Sequence, residues 1–217
     1  MAAIDEELKV VKNYIVEMGF MVERAIENAI ASLLNRDNEA AKEVIKKDNE
    51  INILDNEIEE ECVKLIALHS PVAKDVRFIT TAMKIATDLE RIGDLAQDIA
   101  ERAIELNEEP PLKPYIDIPR MAEGARLMLN DSLDAFVKKD AELANKVIDS
   151  DDFIDNLHQQ IFRELITYMM EDSRNITRAV RITYVSKYLE RIADHTTNIA
   201  EMVIFMVEGK VVRHLKN

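Results

Sequence analysis

Apolar residues recur at three- and four-residue steps along most of the chain, and the pattern breaks in only a few places. Met18, Val22, Ala25, Ile26, Ala29, Ile30 and Leu33 mark a first amphipathic helix over roughly Ile4 to Leu34. Asn35-Arg36-Asp37 interrupts it, and Asp37 is suited to cap a second helix that carries Val44, Ile45, Ile51, Leu54, Ile58, Cys62 and Leu65 to the His69-Ser70-Pro71 turn. Pro71 fits the first turn of a third helix, where its missing N–H costs nothing, and that helix runs to about Asn107. The segment EEPPLKP, Glu108 to Pro114, is dense in proline and reads as a linker. Beyond it the periodicity predicts helices over Ile118–Lys138, Asp140–Met170 and Ser173–Glu208. Short connections make successive helices antiparallel. The expected fold is all-α: two tandem three-helix bundles, residues 1–108 and 116–217, joined by a linker at 109–115.

The two halves are related in sequence. DLERIGDLAQDIAE, Asp88 to Glu101, returns as YLERIADHTTNIAE, Tyr188 to Glu201. Upstream, Asp37, Ala41, Val44, Asp48, Ile51, Leu54 and Ile58 match Asp140, Ala144, Val147, Asp151, Ile154, Leu157 and Ile161, with a three-residue change of register absorbed between about Glu61 and Pro71. A repeat of this length means that one structural unit is used twice.

Composition narrows the classes. Four Gly, five Pro and no Trp among 217 residues, 47% of them hydrophobic, describe a helical chain able to bury a core. A net charge of −14 argues against a nucleic-acid backbone as partner and suits cations or basic protein surfaces. The single Cys62 sits in an apolar stripe and makes no internal disulfide, which fits a reducing cytosol. The acidic start MAAIDEELK lacks the features of a secretory signal, and the longest strongly apolar run, Met202 to Val207, is too short to span a bilayer. Membrane contact is therefore expected only through partners.

The chemistry lies on the repeated helices. Glu90, Asp94, Asp98 and Glu101 fall within an arc of roughly 80° on the third helix, opposite Ile92, Ala96, Ile99 and Ala103. Glu190, Asp194, Asn198 and Glu201 rebuild the stripe on the sixth. Like charges four residues apart repel, and Arg91 and Arg191 offset only part of that. Asp48, Asn52 and Asp55 on the second helix and Asp151, Asp155 and His158 on the fifth lie about as far before their turns as Asp94 and Asp194 lie after them. An antiparallel hairpin would bring each pair of stripes to one height. Oxygen-rich donors of this kind suit hard cations such as Mg²⁺, Ca²⁺, Mn²⁺ or Fe³⁺; the bland alternative is a solvated face.

Other signals are weaker. Arg174, Arg178 and Arg181 form a basic stripe that would either dock an acidic partner or phosphate, or close salt bridges on a solvent face. His69 and His214 stand apart as turn or surface residues, and His195 is replaced by Leu95 in the other half. Dimetal carboxylate enzymes carry Glu-x-x-His, which occurs nowhere here; Asp155-Asn156-Leu157-His158 is the nearest approach. A carboxylate-bridged enzyme and a purely structural helical protein remain the alternatives to a metal-bearing adaptor.

The paired Leu-Glu-Arg-Ile-Gly/Ala-Asp segments, each ending in Asp/Asn-Ile-Ala-Glu on the third helix of a three-helix repeat, resemble the PhoU family over nearly the whole chain. The resemblance implies a non-enzymatic cytoplasmic regulator of phosphate uptake and of the phosphate-starvation response. It implies as partners the ATPase subunit of the phosphate ABC transporter and a sensor histidine kinase, and it implies a homodimer. It also implies bound metal, as iron clusters or as Mg, Mn or Zn, at Glu/Asp-x-x-x-Asp motifs. Those map to Glu90 with Asp94, Glu190 with Asp194, and Asp151 with Asp155. The chain departs from the motif where Asn52 follows Asp48, and Asn198 stands where the other half has Asp98.

Overall fold

The structure, a computed structural model, describes residues 2–211, so His214 lies outside the described residues. Six long helices make up most of it: α1 (Ala2–Asn35), α2 (Asn38–His69), α3 (Ala73–Asn107), α4 (Asp117–Lys138), α5 (Ala141–Glu171) and α6 (Ile176–Glu208). The repeat extends to local geometry. Asp37 and Asp140 each hold an extended conformation and accept from two backbone N–H groups of the following helix, Glu39 and Ala40 in one case and Glu142 and Leu143 in the other, all at 3.0 Å. Each such cap stabilises its helix by about 1 kcal/mol.

Two boundaries differ from the sequence expectation. Pro71 precedes α3 instead of occupying its first turn: Ser70 closes α2 in a left-handed conformation and Val72 is the residue before the helix. Proline has no N–H to continue the α2 ladder, so the break falls ahead of it. Before α6, Ser173–Asn175 forms a separate 3-10 turn, because Asp172 accepts from the Arg174 N–H and caps that turn.

The halves do not stand apart as two separate cores. α3 packs on α6 as extensively as either helix packs within its own repeat, and α1 packs on α4. The order across the molecule is α2–α3–α6–α5, with α1 behind α2 and α3 and α4 behind α5 and α6. One apolar core runs through both halves, from Val11, Ile15 and Met18 to Val203 and Ile204. A Cβ on Gly19 would run into Leu133, so glycine is what lets α1 approach α4 so closely, and Arg126 of α4 pairs with Glu23 of α1 at 2.6 Å. The rings of Phe78 on α3 and Phe136 on α4 stack with centroids 5.6 Å apart.

The linker is tied down. Arg36 donates to the carbonyls of Asn107 and Glu109 at 2.6 and 2.9 Å, Arg178 donates to that of Pro110 at 3.0 Å, and the buried Lys113 is ion-paired to Glu164 of α5.

Candidate functional site

α3 and α6 run antiparallel about their midpoints. Asp88, five residues before Gly93, accepts from Asn198, five residues after Ala193, at 3.3 Å. Glu105, twelve after Gly93, pairs with Arg181, twelve before Ala193, at 2.9 Å. The two acidic stripes therefore lie side by side, related by a half turn.

In the first half the hairpin heights match as the spacing predicts. Asp48 is 8% exposed, and its Oδ1 lies 3.3 Å from the place a Cβ on Gly93 would take. Gly93 leaves the room that this carboxylate occupies. Asp48 Oδ2 accepts from Asn52 Nδ2 at 3.1 Å, while Asp48 Oδ1 and Asn52 Oδ1 are buried without a hydrogen-bond partner. Burial, and then the nearby Asp94, push the Asp48 carboxyl above the ordinary carboxylate range, against the hydrogen bond from Asn52. Burial and Asp94 likewise raise Glu90, with Asp55 and Asp48 adding to the push and Arg91 opposing it. Asp98 is raised by burial and by Glu101, with Arg102 opposing. Arg91 pairs with both Asp94, at 3.1 Å, and Glu90, at 3.4 Å, so the cation on this stripe is already engaged.

The second half repeats the arrangement with different partners. Asp151 is 1% exposed on α5, and Lys187 holds Glu190 at 2.5 Å. His158 shares a 3.0 Å hydrogen bond with Ser186, and burial holds its imidazole below the ordinary value while Glu190 opposes that shift. Glu190, Asp155 and His158 thus share one electrostatic neighbourhood.

Buried acceptors without donors, and carboxylates whose ionisation the fold resists, fit a cation with a preference for oxygen. Among the described residues no three His, Cys, Asp or Glu side chains stand as a ready-made metal centre. The fit lies in the donor chemistry and not in an assembled coordination sphere.

The basic stripe is used internally. Arg181 pairs with Glu105 and Glu109, Arg178 pairs with Glu109 and holds the linker, and Arg174 pairs with Asp172. Arg178 and Arg181 are about four-fifths buried, so docking an outside acid would cost their present partners. Arg174 is 87% exposed and Arg191 is also on the surface. His69 pairs with Glu7 of α1 at 2.9 Å. One group escapes a search by repeat. Asp88 is replaced by Tyr188, yet it holds both His195, at 2.8 Å, and Asn198 across the α3–α6 seam. Asp55, which the spacing already places on the α2 stripe, lies beside Glu90 and is raised by burial and by Glu59.

The raised carboxylates have a measurable consequence. A group whose folded pKa exceeds its unfolded one stabilises the fold fully below the unfolded value, and that contribution is lost as pH rises through the folded value. Asp48→Asn should therefore raise the melting temperature of metal-free protein at pH 7. The gain should shrink as pH falls and vanish only below about 3, under the ordinary aspartate value, where wild-type Asp48 is protonated in both states. Subtracting the variant's curve from that of the wild type removes the opposite trend of His158. A difference that does not change with pH would show that Asp48 carries no ionisation penalty.

These features define a tandem-repeat helical protein with paired, oxygen-rich faces and no helix among the described residues long and apolar enough to cross a membrane. The PhoU domain matches the chain twice, at residues 15–103 and 118–203, and the chain belongs to the PhoU family. A relative from Aquifex aeolicus (strain VF5), named phosphate-specific transport system accessory protein PhoU homolog, is 47% identical over 96% of this chain and 95% of its own length. A Pseudomonas putida relative of the same name is 41% identical over 96% of this chain and 82% of its own. The crystal structure of PhoU from Pseudomonas aeruginosa superposes with a TM-score of 0.91 at 40% identity, covering 95% of this chain and 99% of that one. The phosphate transport system regulatory protein PhoU from Streptococcus pneumoniae gives 0.90 at 29%, covering 97% of this chain and 100% of that one.

Proposed function

We propose that the protein is an accessory regulator of phosphate transport. It acts as a non-enzymatic cytoplasmic adaptor that restrains uptake and the starvation response when phosphate is abundant. Its partners are the ATPase subunit of the phosphate transporter and a sensor histidine kinase, and it works as a homodimer. The observation that carries this reading is the pair of acidic faces, built twice, in a chain whose relatives are named accessory proteins of phosphate-specific transport. Glu90 and Asp94 with Asp48 and Asn52, and Glu190 and Asp194 with Asp151 and Asp155, would hold metal. Bound metal supplies positive charge that offsets the carboxylate repulsion and leaves a face able to meet charged partner groups.

Charge reversal tests the contact. Glu90→Lys/Asp94→Lys should weaken binding of the purified ATPase subunit at least tenfold while helical content is kept. Unchanged affinity in the folded variant would remove this face from the contact.

A further inference from the structure

The acidic faces continue into apolar ones. Along α3, Val76, Thr80, Thr87, Asp94 and Asp98 recur at helical spacing on one side, so the acidic stripe becomes apolar toward the α2–α3 hairpin end. On α6 the equivalent row is Ile176, Val180, Lys187, Asp194 and Asn198. The neighbouring helices supply Val63 on α2 and its repeat counterpart Ile166 on α5. These apolar positions face water: Val63 is 53% exposed, Val76 38%, Ile166 37% and Ile176 45%. A lone exposed valine needs no explanation, but the same exposed apolar pair at the same hairpin end in both repeats marks an interaction surface. Val76 and Asp94 lie eighteen residues apart on α3, about 27 Å along the helix. Each repeat thus presents an apolar end and an acidic midsection along one side of its helix; Arg91 and Lys187 are already paired to Glu90, Asp94 and Glu190, and Lys84, at the flank of the α3 row, is exposed.

The symmetry at the α3–α6 seam determines what can cover both faces together. The contacts of Asp88 with Asn198 and of Glu105 with Arg181 place the repeats in a half-turn relation about an axis near Gly93 and Ala193. Two identical segments seated on the two faces would be related by the same half turn. We infer that one chain of this protein docks a two-fold-symmetric partner, a homodimer, each subunit of which lays one segment along one repeat. Apolar side chains of the segment cover the hairpin end, and Lys or Arg side chains about 27 Å further along meet the acidic midsection. The inference rests on the adaptor reading above and adds to it the stoichiometry, one chain to two partner subunits, and the sequence character of the docking segment.

The test places a photo-crosslinking amino acid at Val63, at Ile166, or at both, in the full chain expressed in its native host. Adducts are identified by mass and by peptide sequencing. Either single position should capture the same segment of the same polypeptide, and the double substitution should yield one chain bearing two copies of it. Capture of different polypeptides at the two positions, of a second copy of this chain, at one position only, or of nothing would each overturn the inference. Val76→Glu and Ile176→Glu, exposed positions whose substitution leaves the core intact, should each lower capture severalfold and to a similar extent; loss from one repeat alone would overturn it as well. The two readings fail separately. Two copies of a polypeptide unconnected with phosphate transport would retain the two-fold dock and remove the phosphate role. A transport component caught through a single repeat would do the reverse.

Discussion

Alanine at Glu90, Asp94, Glu190 and Asp194 together is expected to bring the metal recovered with the purified protein down to background while all six helices remain folded. Asp94 is 40% exposed and Glu90 and Glu190 are 20% and 12% exposed, but none of the four belongs to the apolar core that joins the helices, so their truncation leaves that core in place. The fold already resists ionisation of Glu90, so losing its charge relieves repulsion. A hard cation, by contrast, needs that charge, because Asp48 with Asn52 in one half and Asp151 with Asp155 in the other are left with only part of each donor set and bind it far more weakly. Elemental analysis of protein prepared without chelator, beside far-ultraviolet circular dichroism, separates the outcomes. Metal retained by a helical quadruple variant would move the site elsewhere. Metal absent from the wild type as well would leave the acidic faces as charged docking surfaces.

A second large effect is expected in the core. Phe136 is 1% exposed and stacks on Phe78 across the boundary between the repeats. Phe136→Ala should cost about 3–5 kcal/mol, the usual loss for a buried phenylalanine with its cavity. In a chain of this size that corresponds to a fall in melting temperature of roughly 10 °C. Because α3 packs on α6 and α1 on α4, the loss should lower one shared transition. A calorimetric trace that split into two transitions, one of them unmoved, would mean that the halves fold independently.

Most of the helical plan was legible because its signals are local. The apolar stripes define the helices, and Asp37 and Asp140 cap them through bonds to residues two and three positions on. The acidic grooves were legible for a related reason: in a tight antiparallel hairpin, distance from the turn determines height, so Asp48 and Asp94 had to meet. What the sequence hid depends on contacts between the repeats. Arg178 and Arg181 look like a free basic stripe until Glu105, Glu109 and the linker arrive from the other half. Asp88 was passed over because it is not repeated, yet its partners His195 and Asn198 sit across a seam that only the half-turn packing creates. Comparing repeats finds what both halves share. It is blind to residues whose work is to join them.

The most direct test of the regulatory role is a phosphate-starvation reporter in the native host grown with abundant phosphate, after deletion of this gene. The account predicts that the reporter switches on and phosphate uptake rises, that the wild-type chain restores repression, and that folded Glu90→Lys/Asp94→Lys does not. A reporter that stays off, with uptake unchanged in the deletion strain, would contradict it.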